Sequence, residues 1–447
     1  MHKFTLAFKY FLKRKVTYFA ILAVTLCVFI VTIVMTVMTG LVGDFKQKNH
    51  DFTGDCVVGT DSLVGFAYYE DFMEILTKQK EIAAISPVIK SFALLRNKNS
   101  KKDNDAEIMG IDPLLHSKVT NFSDTLFYNN EDVSKSFELA YDPNLAGCII
   151  GSSYPPDREA GLLDRNYVPR MSYSINCVPL TSKGAFAQAG TDIIDTKTFY
   201  LSDLSNSGLP RIDGYVVYVP FEDAQKLCGM AGSTKRISRI YIKFADTVKL
   251  KEGTRLVHDL WDKYKLEKQN EKQAYLLDTV SVQNWKQFRR ESISSMENEQ
   301  NMMTLMFGFV GITTVFIVLV VFYMIISHKS KDIGILKSIG ASNKDIIELF
   351  SFFAFLIGFF SSVIGLLAGW LFLVNINRLE NWLYVNHEFQ LWNRNIFAIG
   401  GIPNSVNFTV LAIITASAIA ACLIGAFVPS FQAAIKRPAD ILQVNQL

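Results

Sequence analysis

NMMTLMFGFVGITTVFIVLVVFYMIIS, residues Asn301–Ser327, carries no charged side chain from end to end, and its reading decides the fold class. A helix needs about 20 consecutive apolar residues to cross a hydrocarbon core of ~30 Å. Three more stretches pass the same test: Val16–Gly43, Leu349–Asn377, and the run between Arg394 and Lys436, narrowed to Phe408–Val428 by Pro403 and Pro429. Composition agrees: 50% of the 447 residues are hydrophobic, only 19% are charged and 34 are Phe, so a bilayer suits the chain better than water. The first span is too long for the apolar core of a signal peptide and lacks an A-x-A cleavage site, so it is expected to stay as a helix.

Lysine and arginine are biased to one side of these spans, and the loop from Arg378 to Asn407 carries only Arg378 and Arg394 against Glu380 and Glu388. Lys9, Lys13, Arg14 and Lys15 precede the first, Lys329, Lys331 and Lys337 follow the second, and Lys436 and Arg437 follow the fourth. Basic flanks stay in the cytoplasm, so four spans with both termini inside is the consistent topology. The expected division is an interfacial amphipathic helix over 1–15, spans over 16–43, 301–327, 349–377 and 408–428, an extracytoplasmic domain over 44–300, a cytoplasmic elbow over 328–348, an outer loop over 378–407 and a cytoplasmic tail over 429–447.

In the leading segment Phe4, Ala7, Phe8 and Phe11 share one helical face, which suits an in-plane helix; a plain polar lead-in is the alternative. The block from Asp44 to Gln300 has ordinary charge content and must fold in water. Its short apolar runs, Gly54–Gly59, Gly147–Gly151, Tyr215–Pro220 and Ile237–Phe244, read as strands. Tyr69–Gln79 and Phe221–Met230 have helical spacing. The fold class is therefore membrane α-helical, four transmembrane helices plus a large α+β extracytoplasmic domain. Trp285–Gln300 is polar, free of Gly and Pro, and runs into the second span, so it is expected to form a helical stalk.

Several functions are disfavoured. A net charge of +3 without basic runs between aromatics argues against nucleic acid as a partner. The spans contain no Asp, Glu, Lys, Arg or His, which argues against a channel or a proton-coupled pump. No metal, nucleophile or paired-carboxylate spacing suggests an enzyme. Cys56, Cys148, Cys177 and Cys228 fall in the outer domain, where they stand either as buried thiols or in any of three disulfide connectivities. In the third span Gly358, Ser361, Gly365 and Gly369 line one side, and Ala412, Ala416 and Ala420 recur in the fourth. Small residues let helices approach closely, either inside the chain or across a dimer.

Between the second and third spans runs SHKSKDIGILKSIGASNKDIIELF, Ser327–Phe350. Ile333, Leu336 and Ile339 form a one-sided apolar helix, Gly340 interrupts it, and Ser342 or Asn343 can cap a new helix near Lys344. The result is a helix–turn–helix elbow suited to dock on a soluble partner.

Here the chain resembles the lipoprotein-releasing (LolC/LolE) permeases of the FtsX/MacB-type ABC transporter superfamily. Lys331–Asp345 (KDIGILKSIGASNKD) is similar to that superfamily's coupling helix and Val428–Leu442 (VPSFQAAIKRPADIL) to its closing motif. Val37–Phe52, Gly110–Pro113 (GIDP) and Tyr218–Leu227 (YVPFEDAQKL) resemble further landmarks in the right order. The usual Gly-Leu-x-x-Gly-Asp step after Gly151 is absent.

The resemblance implies that Lys331, Asp332, Ile333, Ile335, Leu336, Lys337, Gly340, Ala341 and Ser342 contact a cytoplasmic ABC ATPase dimer. The chain has no G-x-x-x-x-G-K-[ST], so ATP and Mg would be bound by that partner and no cofactor by this chain. It also implies a second permease copy or a sister permease, a lipoprotein cargo and a periplasmic chaperone, in the bacterial inner membrane among its lipids. Acyl chains would meet Met35, Met38, Met302, Met303, Met306 and Phe307, since methionine adapts to varied apolar partners. A chaperone hook would fall on Ser182, Lys183, Gly184, Ala185 and Phe186, without the proline expected at its tip. Two other members of the superfamily remain as alternatives: a MacB-like export permease working with an adaptor and an outer-membrane duct, and an FtsX-like permease that signals without transport.

Overall fold

The computed structural model describes residues 15–97, 103–139, 141–153, 170–187, 195–328, 330–387, 389 and 401–435. The expected interfacial helix up to residue 14, most of the segment after Gly151 and the end of the closing motif lie outside the described residues. The chain divides into two compact units, one built from residues 44–294 and the other from the long apolar helices before and after it.

Along the chain, the elements are α1 (Lys15–Thr53), β1 (Cys56–Gly59), β2 (Phe66–Ala67), α2 (Tyr69–Thr77), β3 (Ile82–Asn97), β4 (Asp103–Ile111) and α3 (Pro113–Val119). There follow β5 (Gly147–Gly151), β6 (Ser172–Cys177), β7 (Asp195–Ser205), β8 (Val216–Pro220), α4 (Phe221–Leu227), β9 (Arg236–Ile237), β10 (Arg239–Phe244), α5 (Leu250–Glu267) and β11 (Ser281–Asn284). The last four are α6 (Arg290–His328), α7 (Ser330–Ser338), α8 (Asn343–His387) and α9 (Phe408–Ile435).

In the large domain a nine-stranded mixed sheet runs β11-β1-β10-β3-β4-β8-β5-β7-β6, and β6 pairs back onto β3, closing six strands into a ring. The length of β3 makes closure feasible: Ile82–Val88 pair with β10, while Ala93–Asn97 pair with β6. Both faces of the sheet are covered, which is why β1, β5 and β8 read as continuous apolar runs and not as alternating ones. In β1, Cys56 and Val58 enter one core with Phe72 and Trp261, whereas Val57 enters a second with Tyr218 and Tyr241.

The landmark Gly110–Pro113 has a local physical reason. A Cβ on Gly110 would lie 2.2 Å from Cβ of Ala224, so only glycine lets α4 seat on β4. Asp112 then caps α3, accepting from Leu114 N at 2.9 Å and Leu115 N at 3.0 Å, with Pro113 at the first helical position.

The second unit holds four helices, α1, α6, α8 and α9, long and apolar enough to cross a membrane. The 45 residues of α8 rise about 67 Å at 1.5 Å per residue, so it extends well beyond a hydrocarbon core. The expected stalk begins later than its composition suggests. Trp285–Phe288 form a one-turn helix closed by an Asn284–Gln287 capping box, the helix breaks at Arg289, and the unbroken helix starts at Arg290.

Candidate functional site

The elbow is built by two short-range devices. At the end of α7, Ala341 N donates to the Leu336 carbonyl at 3.0 Å and Gly340 N to the Lys337 carbonyl at 3.1 Å, a Schellman closure with Gly340 at φ +103°. At the start of α8, Ser342 Oγ accepts from Asp345 N at 3.2 Å, and the Asp345 carboxylate accepts from Ser342 N at 2.9 Å. Ser342 therefore supplies the cap, and the reciprocal bond leaves neither end loose.

The apolar residues of α7 do not share one face. Ile333 is buried in the core of the helical unit, Leu336 is half-buried, and Ile335, with Ile339 in the turn just past the helix, is exposed, at 51% and 79% respectively. One edge of α7 packs inward and the other is presented. The inward edge meets the closing motif: Ile333 shares a core with Ala433 and Ala434, and the Lys337 ammonium donates to the Ala434 carbonyl at 2.6 Å. The Tyr323 hydroxyl donates at 2.5 Å to Oε1 of Gln432, the residue immediately before Ala433. Sequence reading had both motifs but not this contact, whose only signal is the small Ala433–Ala434 pair. Ala341 is half-buried and Gly340 lies open, and the side chain of Lys331 lies outside the described residues.

The small-residue stripe of α8 is used within the chain. A Cβ on Gly365 would stand 2.8 Å from Val28 Cγ1, and one on Gly358 would stand 3.1 Å from Ile419 Cα. Ser361 Oγ donates to the Ile21 carbonyl at 3.3 Å. The stripe thus packs α8 against α1 and α9. Among the residues expected to meet acyl chains, Met302 and Met306 are exposed at 70% and 60%, Met303 lies at the edge of exposure, and Met38 and Phe307 are half-buried. Met35 packs against the core of the helical unit.

The expected hook is a tight turn between β6 and β7. Gly184 N donates to the Thr181 carbonyl at 3.0 Å, Thr181 N donates to the Ala185 carbonyl at 2.8 Å, and Gly184 sits at φ +78°. Ser182 is half-buried, its carbonyl accepting from the Tyr275 hydroxyl at 3.0 Å, while Lys183, Gly184, Ala185 and Phe186 are exposed. All six cysteines are free thiols. Cys56, Cys148, Cys177 and Cys228 are buried, and Leu180 N, just before this turn, donates to the Cys228 carbonyl at 3.3 Å.

Comparison with known proteins reaches the same place. Residues 304–438, which include the elbow and all of α9, match the family of FtsX-like permease C-terminal domains. Over 433 residues the chain is 22% identical to the lipoprotein-releasing system transmembrane protein LolC of Xylella fastidiosa (strain Temecula1 / ATCC 700964), covering 95% of this chain and 92% of that one. The protein of that name from Neisseria meningitidis serogroup B is 22% identical over 441 residues, covering 96% and 94%. Among solved structures, the periplasmic region of MacB from Actinobacillus actinomycetemcomitans matches at 13% identity with a TM-score of 0.30, covering 54% of this chain and 94% of that one. The resemblance to LolC/LolE-type members of the FtsX/MacB superfamily, first read from the coupling and closing motifs, is borne out.

Proposed function

We propose that this LolC-like, multi-pass FtsX-type permease is the membrane subunit of an ABC transporter that works by mechanotransmission, releasing lipoproteins from the bacterial inner membrane to a periplasmic chaperone. The observation that carries the reading is the elbow: two exposed isoleucines, Ile335 on α7 and Ile339 in the turn just after it, while the other edge of α7 is tied into the core of the helical unit through Ile333 and Lys337. A docked partner would gain apolar contact from the exposed edge, and any displacement it imposed would be delivered to α8 and α9 and not absorbed by a loose loop.

In this reading both termini are cytoplasmic and the large domain is periplasmic. ATP and Mg are bound by a separate ATPase dimer, and a second copy or a sister permease completes the complex. No cargo passes through the spans. Acyl chains enter sideways at Met302, Met303, Met306 and Phe307 with Met35 and Met38, and the Ser182–Phe186 turn is the contact for the chaperone. Support for lipoprotein as cargo comes from the end-to-end likeness to LolC.

The test is purification from native membranes with identification of the bound proteins, followed by reconstitution in liposomes with ATP. An ATPase that co-purifies, together with ATP-dependent release of a triacylated lipoprotein, supports the proposal. Recovery of an adaptor and an outer-membrane duct, with no lipoprotein released, overturns it.

A further inference from the structure

The large domain contains a cavity of about 1150 Å³, walled by β3, β4 and the junction from β11 to α6. Five cations line it, Lys90, Arg211, Arg239, Arg289 and Arg290, against the four carboxylates of Asp61, Asp105, Glu107 and Glu291, and Lys90, Arg239 and Arg289 form one group on this wall. The Lys90 ammonium meets Glu107 at 2.9 Å. Arg239 meets Asp61 at 2.7 Å, but Asp61 is 95% exposed, so this partner is held mainly by water. Arg289 has no carboxylate within ion-pair distance among the described residues, and its buried Nε has no hydrogen-bond partner.

The three groups are close neighbours. The guanidinium groups of Arg239 and Arg289 both lie over the Phe288 ring, with Cζ 4.6 and 5.7 Å from its centroid. Lys90 is anchored beside Arg239, its backbone N donating to Ser238 Oγ at 2.9 Å. Burial and then the neighbouring cations lower the proton affinity of Lys90, and burial foremost lowers that of Arg289. A guanidinium held against aromatic rings with a desolvated N–H unpaired is ready to receive an oxyanion. One bidentate arginine would satisfy a carboxylate; three converging cations suit the larger charge and additional oxygens of phosphate. The same cavity is lined by exposed Phe92, Leu94, Val178 and Tyr215, so the anion has apolar surface beside it.

We propose that this cavity is a phosphate-binding site in which Arg289, assisted by Arg239 and Lys90, receives the oxyanion. The phosphate belongs either to a lipid headgroup, whose chains the apolar wall would shelter, or to a free phosphate. Because Arg289 is the residue at which the chain breaks before α6, an occupant would fix the geometry of that junction.

The test uses the full-length protein in detergent without any ATPase, so its outcome is separate from that of the transport reading. Binding of inorganic phosphate and of dihexanoyl-phosphatidylglycerol is followed by thermal shift and calorimetry, with chloride at matched ionic strength as reference. The wild type is expected to bind phosphate saturably, with affinity reduced at least tenfold in Arg289→Gln and in Arg239→Gln. It should be unchanged in Arg255→Gln, which removes the same charge from exposed α5. Tighter binding of the lipid than of phosphate assigns the site to a headgroup, and equal affinities assign it to free phosphate. Should Arg289→Gln fail to fold, Arg239→Gln carries the comparison. Absence of saturable binding of either ligand, or an equal loss in Arg255→Gln, overturns the proposal.

Discussion

The Lys337 ammonium donates to the carbonyl of Ala434 at 2.6 Å, joining the elbow to the last turn of α9. Carbonyls in the last turn of a helix have no partner within it, and a cation there also meets the negative end of the helix dipole. Lys337→Met keeps the apolar stem and removes this bond together with the ammonium charge. On the proposed function, the expected outcome is that a partner ATPase still binds, within about threefold, while ATP-driven release falls at least fivefold, because force would reach α9 through this tie. Equal release by Lys337→Met and wild type would count against the tie as a transmission element.

Ile333 and Ile335 are two positions apart and face opposite ways, which separates folding from docking. Ile335→Glu places a charge on an edge that is 51% exposed, so insertion and thermal stability should stay near wild type while ATPase co-purification is lost. Ile333→Glu buries an unpaired carboxylate and should destabilise the helical unit by several kcal/mol, lowering yield in the membrane. Retention of full ATPase binding by Ile335→Glu would remove the elbow from the interface.

Gly340 sits at φ +103° with open space around its missing Cβ. Gly340→Ala therefore meets no clash, and its cost is the backbone penalty alone, about 1–2 kcal/mol for an L-residue in the left-handed region. That should loosen the elbow without unfolding the protein, seen as faster proteolysis at the turn and weaker coupling in the ATPase assay. By contrast Gly365→Val puts a Cβ within 2.9 Å of the Thr25 carbonyl, which cannot give way, and should sharply reduce the folded fraction.

What was legible in the sequence follows from which physical constraint dominates each segment. Lipid imposes a length and a lack of charge, so the four spans are visible directly, but it does not fix helix ends: α8 continues past its apolar stretch through Arg378 and the buried Glu380 to His387. Strands buried on both faces, such as Gly147–Gly151, stand out as apolar runs. The longest strand, β3, does not, because Pro87 interrupts its pattern and Lys90 and Arg96 stand on faces that other strands leave open. The elbow was legible from its caps, since these are local. The split of its isoleucines was not, because burial of Ile333 depends on α9 about a hundred residues away. The Lys90, Arg239 and Arg289 group was invisible for the same reason, assembled by strand pairing across most of the domain.

His116 gives the domain a dependence on pH with a defined sign. Its ring is buried, with Nδ1 3.2 Å from Ser86 Oγ and the rings of Phe122 and Tyr241 at 5.5 and 5.8 Å. Burial holds its pKa down at about 3, against about 6.5 in the unfolded chain. Between these values the unfolded state binds a proton that the folded state refuses, so stability is complete above pH 6.5 and is lost as pH falls, by about 1.4 kcal/mol per unit. Asp55, whose carboxyl is held below its usual value, takes its proton at lower pH than an unperturbed Asp, so its own contribution falls in a more acidic window. Denaturant unfolding of the full-length protein in detergent, followed by tryptophan emission from pH 8 to pH 4.5, should show this slope. His116→Gln keeps a polar group toward Ser86 but cannot titrate, so it should be less stable at pH 8 and flatter in slope by one proton. Equal slopes for the two proteins would mean that His116 is protonated in the folded state and that its buried neutral form is not what the domain relies on.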